Sequence, residues 1–215
     1  MKYRVVKSKR NTLCLTINKK GEVIVRAPLT ASKRQIIQFV QKHERWIAVH
    51  LAKRKPQRVL NLDDHQPLVL FGERYEIVEG RSKITGGTVQ LPKANRESAL
   101  LRILKVLAKE KLQPIVEGIA KKYAYKYSGV RISTARSRWG SCNKNGMLAF
   151  TCFLAFVDPM LVTYVVVHEL CHTRHFNHSK NFWREVEKIL PDWRKLRAGL
   201  KQEESCLEFL RSSEA

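Results

Sequence analysis

The chain is 215 residues long, 44% hydrophobic and 28% charged, a composition that excludes a mostly disordered polypeptide and is long enough to bury a core without covalent staples. Lys and Arg number 41 against 19 Asp and Glu, a formal charge of +22. That surplus points to an anionic partner (nucleic acid, nucleotide, acidic protein or anionic lipid), and the longest apolar run, 148–157, is too short to cross a bilayer.

The charge is concentrated early. Residues 1–60 hold 16 basic side chains and two acidic ones, Glu22 and Glu44. The alternative to a polyanion site there is a solvated basic face. Leu13, Leu15 and Ile17 alternate with Thr12, Cys14 and Thr16, which predicts a half-buried strand. Asn18-Lys19-Lys20-Gly21 turns the chain into a return strand at Val23-Ile24-Val25, stopped by Pro28. Ser32 and Gln35 spell a capping box. Ile36, Phe39, Val40, Trp46, Ile47 and Leu51 then recur at three and four, a helix running to about Arg54 and closed by Pro56. Short strands are expected at 68–71, 75–78 and 88–91, divided by Gly72, Gly80 and Gly86-Gly87.

From Glu97 to Tyr127 the pattern turns helical, with Pro114 expected to kink or split it. The loop from Pro92 to Asn95 therefore reads as the domain boundary, giving a basic, β-rich domain with one helix (1–95) and a metal-binding catalytic domain (96–215). A hairpin is predicted next, its arms 130–142 and 147–153 flanking Asn143-Lys144-Asn145-Gly146. Asp158-Pro159 starts a helix expected to run to about His175. Two more helices fit 179–190, stopped by Pro191, and 192–210. The fold class is α+β.

The five cysteines, Cys14, Cys142, Cys152, Cys171 and Cys206, are odd in number and none is spaced C-x-x-C. The opening Met1-Lys2-Tyr3-Arg4 lacks an apolar leader. The expectation is a reduced, cytoplasmic, monomeric protein with no membrane attachment and no cysteine-built zinc finger.

Four of the seven histidines fall between 168 and 178. His168-Glu169-Leu170-Cys171-His172 matches H-E-x-x-H. Two imidazoles at i and i+4 lie one helical turn apart on one face, so both can reach a single ion at about 2.0–2.1 Å. Glu169 sits about 100° round the helix, within reach of a water at that ion. A catalytic zinc needs a third protein ligand. His178 follows Phe176-Asn177, where the chain can turn back. His175, on the same face but about 10 Å along a straight helix, Glu185 on the next helix, or water alone remain open. Charge developing on a substrate calls for a further donor, and Arg136, Arg138 and Tyr164 are the candidates. Trp139 and Trp183 read as core or pocket wall, and Cys171 as a packed thiol.

The stretches Arg138-Trp139-Gly140-Ser141-Cys142, Tyr164-Val165-Val166-Val167-His168-Glu169-Leu170-Cys171-His172 and Asn177-His178-Ser179-Lys180-Asn181-Phe182-Trp183 resemble the YgjP-like metal-dependent hydrolases, minimal zincins related to the SprT and WLM proteases. Val23-Ile24-Val25-Arg26-Ala27-Pro28 and Pro191-Asp192 are similar too. The resemblance implies a minimal zincin-like domain in which His168, His172 and His178 bind zinc and Glu169 is the general base. His175 stands where the metzincins carry a glycine. Relatives bear two labels, metallopeptidase and nucleotide pyrophosphatase.

Three functions compete. A zinc metallopeptidase would hold a peptide against the edge of the hairpin. A metal-dependent nucleoside triphosphate pyrophosphatase fits the charge, although neither a P-loop nor a dense acidic cluster for Mg²⁺ is present. A nucleic-acid-binding module with a structural metal fits residues 1–60, whose few aromatics (Tyr3, Phe39, Trp46) weaken a stacking platform.

Overall fold

The computed structural model describes residues 2–18, 21–52 and 60–209, with side chains to residue 203. It divides into two compact units, 1–57 and 58–215. The fold class is the expected α+β.

In the first unit, β2 (Cys14–Ile17) and β3 (Val23–Pro28) form the expected antiparallel pair. A further strand, β1 (Tyr3–Ser8), lies parallel to β3 on its other side, giving the order β1-β3-β2. Its run Arg4-Val5-Val6-Lys7 has no period-2 alternation by which it could have been recognised. Ser32 closes a full capping box with Gln35 at the start of α1 (Lys33–Lys42). The single helix expected here is two: His43 interrupts it, its ring Nδ1 2.7 Å from the Phe39 carbonyl, and α2 (Glu44–Ala52) follows. Val23, Val25, Ala27, Ala31, Ile36, Val40 and Ile47 make a small core of their own. Lys19, Lys20, Lys53, Arg54, Lys55 and Pro56 lie outside the described residues.

The second unit begins with a four-stranded sheet, β4 (Pro67–Leu70), β5 (Glu73–Glu79), β6 (Lys83–Thr85) and β7 (Thr88–Leu91), in the order β4-β5-β7-β6. The two-residue turn Phe71-Gly72 has positive φ at both positions, the geometry that suits a tight hairpin. These strands were expected to belong with the N-terminal domain, and the boundary at 95/96 is corrected to 57/58. Leu68, Leu70, Tyr75, Ile77, Val89 and Leu91 share one core with Leu100 and Leu104 of α3 (Arg96–Tyr123), so the junction at 92–95 connects two elements of a single core. Arg96 fastens it, donating to the Leu62 carbonyl and to Asp64 Oδ1 at 2.9 Å.

Pro114 does not end α3, which runs unbroken for 28 residues. Leu107, Ala108, Leu112, Val116 and Ala120 are buried on both sides of the proline, and that burial offsets the lost backbone hydrogen bond. The predicted long hairpin arm is two strands. β8 (Gly129–Ser133) runs parallel to β10 (Met147–Thr151), while β9 (Gly140–Cys142) pairs antiparallel on the other side of β10. Thr151 holds the loop between β8 and β9, its hydroxyl donating to Ala135 O at 2.7 Å and its N–H to Trp139 O at 3.0 Å. A 3-10 turn, Cys152–Phe156, leads to α4 (Pro159–Cys171), α5 (Lys180–Ile189) and α6 (Trp193–Phe209). Asp158 caps α4 by accepting from Met160 N at 2.8 Å, with Pro159 at the first helical position. Among the described residues no helix is long and apolar enough to cross a membrane.

Candidate metal centre

The site grows from the buried helix α4. Val162, Tyr164, Val165, Val166, Val167, Leu170 and Cys171 are all buried, so the helix is fixed from nearly every side. It ends earlier than expected, at Cys171 rather than near His175. Thr173 N and the Thr173 hydroxyl both donate to Leu170 O, at 3.0 and 2.8 Å, and Arg174 N and His175 N both donate to Cys171 O. The turn therefore starts within H-E-x-x-H, with His172 as the C-cap.

That early turn brings His178 back over the helix. His172 Nε2 lies 3.2 Å and His178 Nε2 3.1 Å from His168 Nε2, and one ligand atom from each of the three residues lies within 4.8 Å of the others. Ligands about 2.0–2.1 Å from a tetrahedral ion stand roughly 3.3–3.4 Å apart. His172 Nδ1 is 2.9 Å from the His175 carbonyl; donation to that oxygen leaves Nε2 with its lone pair free for the centre. Burial, then the neighbouring His172 and His178, then Arg197 push His168 down to about 3, and burial chiefly lowers His178 as well. Neutral imidazoles with converging lone pairs are the donor set a zinc-type ion requires.

Of the alternatives for the third ligand, His175 serves through its backbone oxygen. The Glu185 carboxylate is held elsewhere, accepting from Arg174 Nη1, from Tyr125 OH at 3.1 Å and from Lys188 Nζ at 3.2 Å. Arg174 also donates to the Tyr123 and Ala124 carbonyls at 2.8 Å each, closing the end of α3. One guanidinium thus ties the turn after α4 to both α3 and α5. His178, the most exposed of the three, is stacked against Trp183 (centroids 5.5 Å apart), which is stacked in turn on Trp193 at 4.2 Å.

Glu169 is only 6% exposed. Burial pushes its carboxyl up to about 8, the charge of Arg138 opposing. It packs against β9 so closely that a Cβ on Gly140 would lie 2.7 Å from its Cγ and 2.8 Å from Oε1. A cavity of about 220 Å³ opens beside it, lined by Trp139, Gly140, Tyr164, Val165, His168 and Glu169 and, from α6, by Arg197, Leu200 and Lys201.

Among the three expected substrate contacts, Tyr164 lines this cavity, its ring 5.9 Å from that of His168 and its hydroxyl pushed up to about 12, first by burial. Arg138 is exposed outside the lining, although its charge reaches Glu169. Arg136 rests over the Phe153 ring at 5.8 Å. Trp139 is buried in the cavity wall, Trp183 packs against His178, and Cys171 is a buried thiol 3.3 Å from Tyr125 OH. Sequence reasoning missed Gly140, although it sits inside a quoted motif, and missed Arg197 and Lys201. These two share a face of α6 at i and i+4, but that helix also carries Arg194 and Lys195, and nothing local separates the pairs.

The family model for a YgjP-like metallopeptidase domain matches residues 11–203. Among solved structures the chain is similar to the metallopeptidase zymogen of Pyrococcus abyssi abylysin, at 23% identity over 42% of this chain and 92% of that one, with a TM-score of 0.40. It is also similar to the metallopeptidase zymogen of Methanocaldococcus jannaschii jannalysin, at 20% identity over 42% and 94%, with a TM-score of 0.39. No curated protein matches.

Proposed function

The chain belongs to the YgjP-like family, and on that footing we propose that it is a zinc-dependent hydrolase of peptidase type, with His168, His172 and His178 as ligands and Glu169 as general base. The observation that carries the proposal is the convergence of three imidazole nitrogens one residue away from a buried carboxyl. Zinc bound there would polarise the substrate oxygen and make a water nucleophilic at neutral pH. The chain supplies the rest. Glu169 accepts the proton of the attacking water and returns it to the leaving group. The His175 carbonyl holds His172 in one tautomer, and Trp183 holds the His178 ring. Trp139 and Val165 wall off solvent. Strand β9, with Gly140 in the cavity lining, pairs among the described strands with β10 alone, and that edge position supports an extended peptide as the bound substrate. Glu169→Gln keeps the shape and removes the proton acceptor. It should retain the metal and abolish fragment release from unfolded protein substrates; undiminished turnover refutes the assignment.

The N-terminal unit supports a second, separable role in polyanion binding. Ten described Lys and Arg side chains stand there against Glu22 and Glu44, and among the described residues none of the ten is ion-paired with a carboxylate. Retention of nucleic acid that falls steeply with added salt is the expected result, and salt-independent retention refutes it. The four described cysteines are all free, which supports a reducing, cytoplasmic setting.

A further inference from the structure

We infer that Arg197 and Lys201 form a subsite for an anionic group of the substrate, a carboxylate or phosphate adjacent to the bond cleaved, on the α6 wall of the metal cavity. The inference rests on the hydrolase reading of that cavity and names the substrate chemistry it selects.

The first ground is charge balance. Two cations face a pocket that one of the three clustered histidines, His168, also lines, so a divalent cation held by that cluster would add to the positive charge, and Glu169 is the one carboxylate in the lining. Like charges so placed repel one another, and an arriving anion would relieve the repulsion. The second ground is the contrast along the same helix. Arg194 is paired with Glu187 at 2.8 Å and Lys195 with Asp192 at 3.2 Å. Arg197 and Lys201 have no carboxylate partner among the described residues. A solvated basic face does not explain why, among the described cations of this helix, the cavity-facing pair is the one left uncompensated. The third is pre-organisation. The Arg197 guanidinium lies over the Trp183 ring, 4.9 Å from its centroid, on the same indole that stacks with His178. That contact restricts the planar fork, whose geometry matches the two oxygens of a carboxylate or phosphate, and Lys201 one turn along adds a point charge. Size is the fourth. At about 220 Å³ the cavity is smaller than the roughly 300–1,000 Å³ of pockets for drug-sized ligands, which suits one charged terminal group beside the metal site.

The test is calorimetric binding to the full chain, first metal-free so that the ion cannot itself capture the anion, then zinc-loaded. The probes are inorganic pyrophosphate, N-acetylalanine as the mimic of a peptide carboxyl end, and N-acetylalaninamide as its uncharged counterpart. At least one anion should bind and the amide should not. Arg197→Met and Lys201→Met, which keep apolar stems, should each weaken the anion about tenfold. Lys195→Met should leave it unchanged, and circular dichroism and zinc content should match wild type in all three. Preference for pyrophosphate assigns a phosphate-bearing substrate, and preference for N-acetylalanine assigns the carboxyl end of a peptide. Equal binding of the amide overturns the inference. So does anion binding that survives both substitutions, which would belong to the basic N-terminal unit. Glu169→Gln keeps both cations and removes the one carboxylate that opposes an arriving anion, so it should bind the anions at least as tightly as wild type while losing turnover, and a failed hydrolase reading and a failed anion subsite give different results.

Discussion

Replacing Gly140 by Ala isolates the contact between β9 and the proposed base. The added methyl would sit 2.7 Å from Glu169 Cγ, 2.8 Å from Oε1 and 3.0 Å from Cδ. No loose chain end can yield here, because the atom struck first is mid-chain in a residue only 6% exposed on a buried helix. Gly140 is not among the residues with positive φ, so the effect is steric and not conformational. Overpacking of this kind costs about 1–3 kcal/mol. For a unit of this size that is a fall in Tm of about 2–12 °C. The carboxylate must shift by the order of an ångström, and a misplacement of that size costs about a hundredfold in turnover. Zinc content should be unchanged, since no ligand is touched. The decisive assay is a double-mutant cycle by thermal or urea unfolding. In a Glu169→Ala background the struck atoms are gone, and Gly140→Ala should cost less than about 0.5 kcal/mol. An equal cost in both backgrounds would show that the methyl disturbs β9 itself and would refute the reasoning.

Two further predictions concern ligands and ion pairs. His168→Ala, His172→Ala and His178→Ala should each lose most bound zinc by elemental analysis. His175→Ala should keep it, because His175 contributes a backbone oxygen; loss of metal from His175→Ala with retention in His178→Ala reverses the assignment of the third ligand. Glu185→Gln should also keep the metal but destabilise the fold by about 1–3 kcal/mol at pH 7, since it weakens charge-assisted hydrogen bonds from Arg174 and Lys188. Burial raises the Glu185 pKa, but hydrogen bonds from Lys188, Tyr125 and Arg174 together outweigh it and leave the carboxyl below its ordinary 4.5. A carboxyl lowered in the folded state contributes stability above its unfolded pKa and loses it as pH falls through the folded one. The gap between wild type and Glu185→Gln in unfolding experiments should therefore be full at pH 7 and close as the pH drops below about 4.5. A gap that persists in acid would mean the glutamine disturbs packing instead.

Local signals in the sequence determined much of this protein. The capping box at Ser32, the Asp158-Pro159 helix start, the Asn143–Gly146 turn and the H-E-x-x-H spacing are all short-range, and each was found where its residues place it. What depends on burial was not legible. Pro114 reads as a helix breaker until the apolar residues on both sides are seen to be buried, and the strands at 67–91 read as N-terminal until their side chains are found in the core of α3. The third histidine shows the division most clearly. Spacing could place His178 near the site, but only the early end of α4, with Arg174 anchored to α3 and Glu185, decides that His178 faces the centre while Glu185 is turned to an ion pair. Arg197 and Lys201 lie farther still along the chain, and they become part of the cavity only because α6 packs on α4. Helix caps, turns and a ligand pair one turn apart are set by neighbours within a few residues, which the sequence lists in order. The partners of a buried strand, a helix end or a cavity wall are tens of residues away, and only the packed chain selects among them.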